Sequence, residues 1–270
     1  MGFLDSINIQ NVHPTIDMGT MIACGQYGTA EIVHKMGFNG SITGANQEDM
    51  WTQGAAYEFP ATGTYPGAKL EVISGSADDD GSPAGTGVQT VKIGYLDGSG
   101  VQKSETVTLN GTTAVETTAT DIWRVNSFRA AAVGTGGVAA GAITLQELDN
   151  APVFSSIAAG QTRARNMAYT VPYGKALLIH EISTSSAAAT IEKAFLKFTL
   201  RGNLNEGAKT AVGFDFPLWE GTVAGTGWQV KLEEPIYVPA LVDLHMVVIG
   251  NAATDAAAAT AEWRGYLVSV

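Results

Sequence analysis

Hydrophobic residues in this chain recur at every second position over short stretches, and glycine-rich turns separate the stretches. Such alternation predicts strands with one buried and one wet face. The run AKLEVISGS places Leu70 and Val72 on one face. In VQTVKIGYLDGSG, Val91, Ile93 and Tyr95 alternate with Thr90, Lys92 and Gly94, and Asp97-Gly98 signals a hairpin turn. Val107 and Leu109 share an inner face opposite Thr106 and Thr108, and Asn110-Gly111 marks a second turn. DIWRVNSFRAAAV sets Ile122 and Arg124 against Trp123 and Val125, and a glycine-rich turn leads to a strand over residues 142–145.

DNAPVFSSIAAGQTRARN reads as a connector, and a second run of strands follows it. Pro172 and Gly174 make its first turn, and Leu177 and Ile179 define an inward face. Leu196, Phe198 and Leu200 lie on one side of the next strand. Two more strands flank Pro235 and Pro239, and AEWRGYLVSV supplies a last strand whose end is expected to be paired within a sheet. Regularly spaced short strands predict an all-β chain with two antiparallel β-sandwich units, the second jelly-roll-like. The units are expected over residues 49–150 and 151–270. Residues 1–48 are the least regular part and read as an N-terminal extended arm, with residues 30–36 able to form about two helical turns between Gly28 and Gly37.

Composition sharpens this picture. A chain of 270 residues has room for two domains and can bury a core without metal or disulfide help. Charged residues make up only 15%, and the strands are rich in threonine, which favours strands and leaves an uncharged, soluble outer face. The net charge of −11 argues against binding a nucleic-acid backbone or an anionic membrane surface. The single cysteine, Cys24, excludes an internal disulfide and reads as a small buried hydrophobe. No apolar run approaches a membrane span, and MGFLDSINIQ carries an acid where a secretory leader would be basic, so folding in a cytoplasm is expected. MGFLDS also matches the myristoylation spacing at Gly2 and Ser6; the pattern is short, and we read it as a chance match.

Candidate chemistry is sparse. His13, His34, His180 and His245 lie far apart, with no local metal pair among them. Asp78, Asp79 and Asp80 form the one acidic cluster with cation potential, although the EF-hand alternation is missing and a solvated loop is the plainer reading. There is no nucleophile elbow and no phosphate-binding loop. Glu58, Asp97, Glu181 and Asp215 do not single out a facing carboxylate pair. Asn39 and Asn110 begin glycosylation sequons, which mean little without a secretory signal. We expect no catalytic, cofactor or metal-binding residue. Trp51, Trp219 and Trp228 sit in loop-like contexts, and Phe216, Trp219 and Trp228 can come together. Such a cluster would stack on sugars, anchor a neighbouring subunit, or close the end of a sandwich.

Several segments together resemble a family of tailed-bacteriophage virion structural proteins. They are HKMGFNGSI with NQEDMWTQGAAYEF, LEVISGSADDDGSPAGTGVQTVKIGYLDGSGVQKSETVTLNGTTAV, WRVNSFRAAAVGTGGVAAGAITL, VPYGKALLIHEISTSS and AEWRGYLV. The likeness runs over roughly residues 34–270 and is specific as a series. It implies a two-part β protein on the phage particle and hands over no active site. The expectation is a non-enzymatic capsid decoration or cement protein. It would assemble as a homo-oligomer, a trimer before a dimer, against the major capsid protein or other virion proteins, with the arm embracing a neighbour. The alternative is a tail-associated adaptor or adsorption protein that binds host glycan.

Overall fold

A computed structural model of the chain describes residue 22 and residues 30–42, 47–54, 56–59, 67–149, 152–188, 195–204, 215–224, 227–250 and 257–270. The protein is all-β, and its paired strands run antiparallel. The chain begins with β1 (Glu31–Ile42) and β2 (Glu48–Asp49). It continues through β3 (Leu70–Ser74), β4 (Val88–Asp97), β5 (Gln102–Thr108), β6 (Val115–Glu116), β7 (Ile122–Val133), β8 (Ile143–Glu147) and β9 (Val153–Ile157). It ends with β10 (Tyr169–Thr170), β11 (Lys175–Ala188), β12 (Phe195–Leu204), β13 (Asp215–Ala224), β14 (Trp228–Val238), β15 (Val242–Gly250) and β16 (Ala257–Ser269).

The strands form four sheets around two cores. Sheets β6-β3-β8-β9 and β5-β4-β7 line the first, which holds Leu70, Val72, Val91, Ile93, Ile143 and Phe154. Sheets β1-β16-β11-β14 and β10-β15-β12-β13, with β2 added on β15, line the second around Leu177, Ile179, Phe198, Met246 and Trp263. The strands β3 to β9 are thus an excursion between β2 and β10 of the other body. The expected division at residues 48/49 and 150/151 differs from this sharing of cores. Ile42 and Met50 belong to the second core, and Phe154 and Ile157 to the first.

Residues 30–36 are not helical. Their β-branched Ile32 and Val33 lie in β1, which pairs with β16 from Glu31↔Leu267 to Ile42↔Ala257. Tertiary pairing overrides a weak helical preference there. Residues 31–42 of the expected arm are therefore a strand of the chain's own sheet; Cys24, His13, Gly2 and Ser6 lie outside the described residues. Gly37 is required in β1, because a Cβ would sit 2.3 Å from the Met50 carbonyl oxygen and 2.4 Å from Met167. The expected connector contains β9, which completes the first body's sheet on β8.

The other strand faces follow the alternation. Leu70, Val72, Val91, Ile93, Leu177, Ile179, Phe198 and Leu200 are fully buried. The hairpin at residues 97–101 uses a three-residue loop. Asp97 N–H donates to the Val101 carbonyl at 3.0 Å, and Gly100, at φ 76°, takes the left-handed position. The left-handed residue is therefore Gly100 and not Gly98. The Asp97 carboxylate accepts the Ser99 and Val101 amides at 2.8 and 3.0 Å.

Alternation fails at the start of β7, where Ile122, Trp123, Arg124, Val125 and Asn126 are all buried. One face of β7 serves the first core and the other meets the second body. Arg124, 2% exposed, donates from Nε and Nη2 to the Asp243 carboxylate at 3.0–3.2 Å, and from Nη1 to the Trp123 carbonyl at 2.9 Å. Its guanidinium lies over Trp123 (4.4 Å) and Phe59 (5.2 Å). Thr170 Oγ donates to the same carboxylate. Asn126 imitates a strand neighbour: its Oδ1 accepts the Thr170 amide and its Nδ2 donates to the Thr170 carbonyl, both at 2.8 Å. Removing one partner strands a buried charge, so Asp243→Ala should lower unfolding stability by about 3–5 kcal/mol. The double variant Arg124→Met/Asp243→Leu should recover much of that loss. Urea unfolding followed by circular dichroism and tryptophan fluorescence checks both.

Candidate interaction site

Trp219 and Trp228 come together, as the sequence suggests, but on strands and not on loops. Trp219 lies on β13 and Trp228 on β14, edge strands of the two sheets around the second core. Their rings stack at 5.5 Å with 21° between planes and so bridge the open edge of that core. Both rings lie over Gly221, where a Cβ would sit 2.5 Å from Trp219 and 2.6 Å from Trp228. Trp219 packs partly on the core, while Trp228 remains 43% exposed. Glycines flanking both tryptophans masked the strand alternation in the sequence. Phe216 pairs with Gly202 through its backbone, and its side chain lies outside the described residues. Trp51 is buried and meets Tyr57 edge-on at 5.2 Å, so it stays apart from this pair.

The outer face of the β1-β16-β11-β14 sheet carries a larger feature. Register aligns Ile32 with Tyr266, Tyr266 with Leu178, and Leu178 with Tyr237, forming one apolar row across all four strands. Ile32 is 50% and Tyr237 58% exposed. His180 stacks on Tyr266 at 4.4 Å where β11 bulges between Ile179 and Glu181. A polar row runs beside it: His34 meets Glu262 at 3.0 Å, Arg264 meets Glu181 at 3.6 Å, and Gln229 donates to Glu181 at 2.8 Å. Sequence reading missed this face. Its signal was the unbroken run ALLI over residues 176–179, in which Leu178 breaks the alternation by placing an apolar side chain outward. The neighbouring edge strand β14 carries Lys231, Glu233, Glu234 and Pro235, which blunt strand-to-strand addition. A partner is therefore better received by the face than by the edge.

The remaining candidates have structural work. Asp79 is fully buried, and its carboxylate accepts from Ser74 Oγ (2.6 Å), Val88 N–H (2.7 Å), and the Ala140 and Gly141 amides (both 2.9 Å). It organises a loop, with Asp80 accepting the Ser82 amide at 2.8 Å. Burial opposes its ionisation, but the Ser74 hydroxyl and the three amides outweigh that and hold its pKa below the usual carboxylate value. Among the described residues no group of three His, Cys, Asp or Glu side chains could hold a metal ion. His245 Nδ1 sits 2.6 Å from Asp49, which also accepts the Tyr57 amide at 2.7 Å. This contact fastens β2 to β15 and was not legible across 196 residues of separation. Asp97 caps its hairpin and meets Lys103 at 2.9 Å, while Glu181 serves the outer face.

No family model and no curated protein matches the sequence. Among solved structures, the crystal structure of the infectious bursal disease virus VP2 subviral particle is 10% identical, with a TM-score of 0.20 over 89% of this chain and 72% of that one. The structure of the infectious bursal disease virus Gx strain is 9% identical, with a TM-score of 0.19 over 89% of this chain and 76% of that one. Likeness at this level carries no argument about fold or role.

Two outcomes are expected. Asp79 has a depressed folded pKa, so its stabilisation is present above its unfolded value of about 3.9 and is lost as pH falls through the folded value. Asp79→Ala should cost about 2–4 kcal/mol at neutral pH by orphaning buried donors, and should flatten the acid limb of a stability–pH curve. Gly221→Ala should part the stacked indoles, and tryptophan emission should shift red with little change in far-UV circular dichroism.

Proposed function

We propose that this chain is a non-enzymatic structural protein of a tailed-bacteriophage virion. In this reading it decorates or cements the head surface as a homo-oligomer, a trimer before a dimer, bound to the major capsid protein or another virion protein. It is made in the host cytoplasm and incorporated there. The two cores are read as two β-sandwich units, the second jelly-roll-like. The observation that carries the proposal is the row Ile32–Tyr266–Leu178–Tyr237 on an open sheet face beside a row of charged and polar side chains. A contiguous apolar strip with a polar border is the anatomy of a subunit contact. Aromatic side chains at its centre are the residues that dominate such contacts. The resemblance to virion proteins supports the same reading.

A second reading rests on the Trp219–Trp228 stack, whose exposed ring gives a flat apolar platform of the kind sugars stack on. It would make the chain a tail-associated adaptor or a glycan-binding adsorption protein. Glycan-array binding that is lost in Trp228→Ala would favour it.

Sedimentation analysis of the purified chain tests the first reading. The wild type should run as a closed oligomer. Tyr237→Asp or Ile32→Asp should shift it to monomer with an unchanged far-UV circular dichroism spectrum, because both positions are exposed in the single chain. A monomeric wild type, or an oligomer indifferent to both changes, overturns the assigned contact. Antibody labelling of intact particles then separates the readings: regular sites over the head fit decoration, and signal confined to the tail fits adsorption.

A further inference from the structure

The junction of the two bodies contains a cavity of about 330 Å³, walled by β1 on one side and by β7 and residues 163–169 on the other. Three cations line it. Lys35 lies on β1 and reaches across the junction, where Nζ donates to the Asn126 carbonyl of β7 at 2.8 Å. Desolvation by burial lowers its ammonium to about 7. Arg129 and Arg163 face each other across an antiparallel bridge. Like charges directly opposite in such a pair repel. Among the described residues, none of the three has an ion-pair partner.

The other charged groups in the wall are already engaged. Glu31 is drawn to Lys175 at 3.6 Å, and His34 is held by Glu262 at 3.0 Å. Ser127 and Ser155 also line it. In a chain of net charge −11, this is a local concentration of positive charge around a cleft that opens to solvent at Arg129 and Arg163.

We propose that this cavity is an anion site in which Lys35, Arg129 and Arg163 together hold a compact divalent oxyanion, a phosphate group or a dicarboxylate. Two guanidinium forks match the paired oxygens of either group, and the ammonium adds a point charge from the opposite body. The anion relieves the Arg129–Arg163 repulsion and gives Lys35 the partner that its burial lacks. It also bridges β1 to β7 and so ties the bodies together at a second point beside Arg124. The site goes beyond the virion role and does not depend on it.

Isothermal titration at constant ionic strength tests the site, with sulfate standing for the phosphoryl source and succinate for the carboxylate source. At least one should bind saturably, and the tighter one identifies the source. Binding needs charged Lys35, so affinity should fall as pH rises through about 7. It should be about tenfold weaker at about pH 8 than at about pH 6. The groups facing Lys35 are Glu31, His34, Arg129, Arg163 and Tyr169; burial raises the Tyr169 pKa, so that phenol stays neutral throughout. Lys35→Gln should weaken binding about tenfold or more. Arg163→Gln, an exposed position that does not threaten folding, should weaken it as well. Lys35→Arg should keep binding and flatten the pH dependence. Absence of saturable heat with both anions, or binding unchanged in both Gln variants, overturns the site. A pH dependence that persists in Lys35→Arg overturns the role given to Lys35.

Discussion

The buried ion pair between Arg124 and Asp243 is the constraint on which the arrangement of the molecule depends. Two complete hydrophobic cores would each fold around their own sheets with no fixed relation between them. A guanidinium that is 2% exposed cannot be left without its carboxylate, because desolvating an unpaired charge costs several kcal/mol. The pair forms only when β7 of one body lies against β10 and β15 of the other. Asn126 and Thr170 then fix the register of that approach to within a hydrogen bond. Hydrophobic burial builds the bodies, and the polar contacts decide how they meet.

That division of labour explains what was legible in the sequence. Period-two alternation reported the local fact of which side of a strand is buried, and Leu70, Val91, Ile93, Leu177 and Phe198 all face the cores it assigned to them. Turn residues were equally local, although the hairpin at 97–101 places its left-handed residue at Gly100. Pairing between distant strands left no such trace. β1 finds β16 across more than 200 residues, so a segment with a plausible helical turn becomes a strand. The same holds for Arg124 and Asp243, and for His245 and Asp49: each looks unremarkable alone and acquires its role only through a contact made by the fold. The start of β7 is buried on both faces because it serves two bodies, and alternation cannot signal that. The aromatic pair was legible as a composition but not as a position, because glycines interrupt the pattern around Trp219 and Trp228. The outer apolar row was missed because its members lie on four strands that only the register brings into line.

Low charge and many threonines suit a molecule whose contacts are made by surfaces. The polar outer positions keep the sheets in solution without long flexible cations and anions, whose ordering at an interface carries an entropic cost. Against that quiet background three departures stand out: an apolar row with a charged border, a stacked indole pair at an open edge, and a cationic cavity between the bodies. The apolar row and the cavity share Ile32 and His34 of β1, while the indole pair lies apart, at the β14 edge of the same sheet.

The insertion of one body between β2 and β10 of the other also has a mechanical consequence. β1 and β16 lie side by side, with Glu31 opposite Leu267 at one end and Ile42 opposite Ala257 at the other. Tension applied across these two strands from the Glu31–Leu267 end opens their ladder one rung at a time. The body formed by β3 to β9 is loaded once the opening reaches Lys35, whose Nζ donates to the Asn126 carbonyl of β7. A pull from that end therefore opens the β1–β16 ladder first and reaches the inserted body through the Lys35 contact.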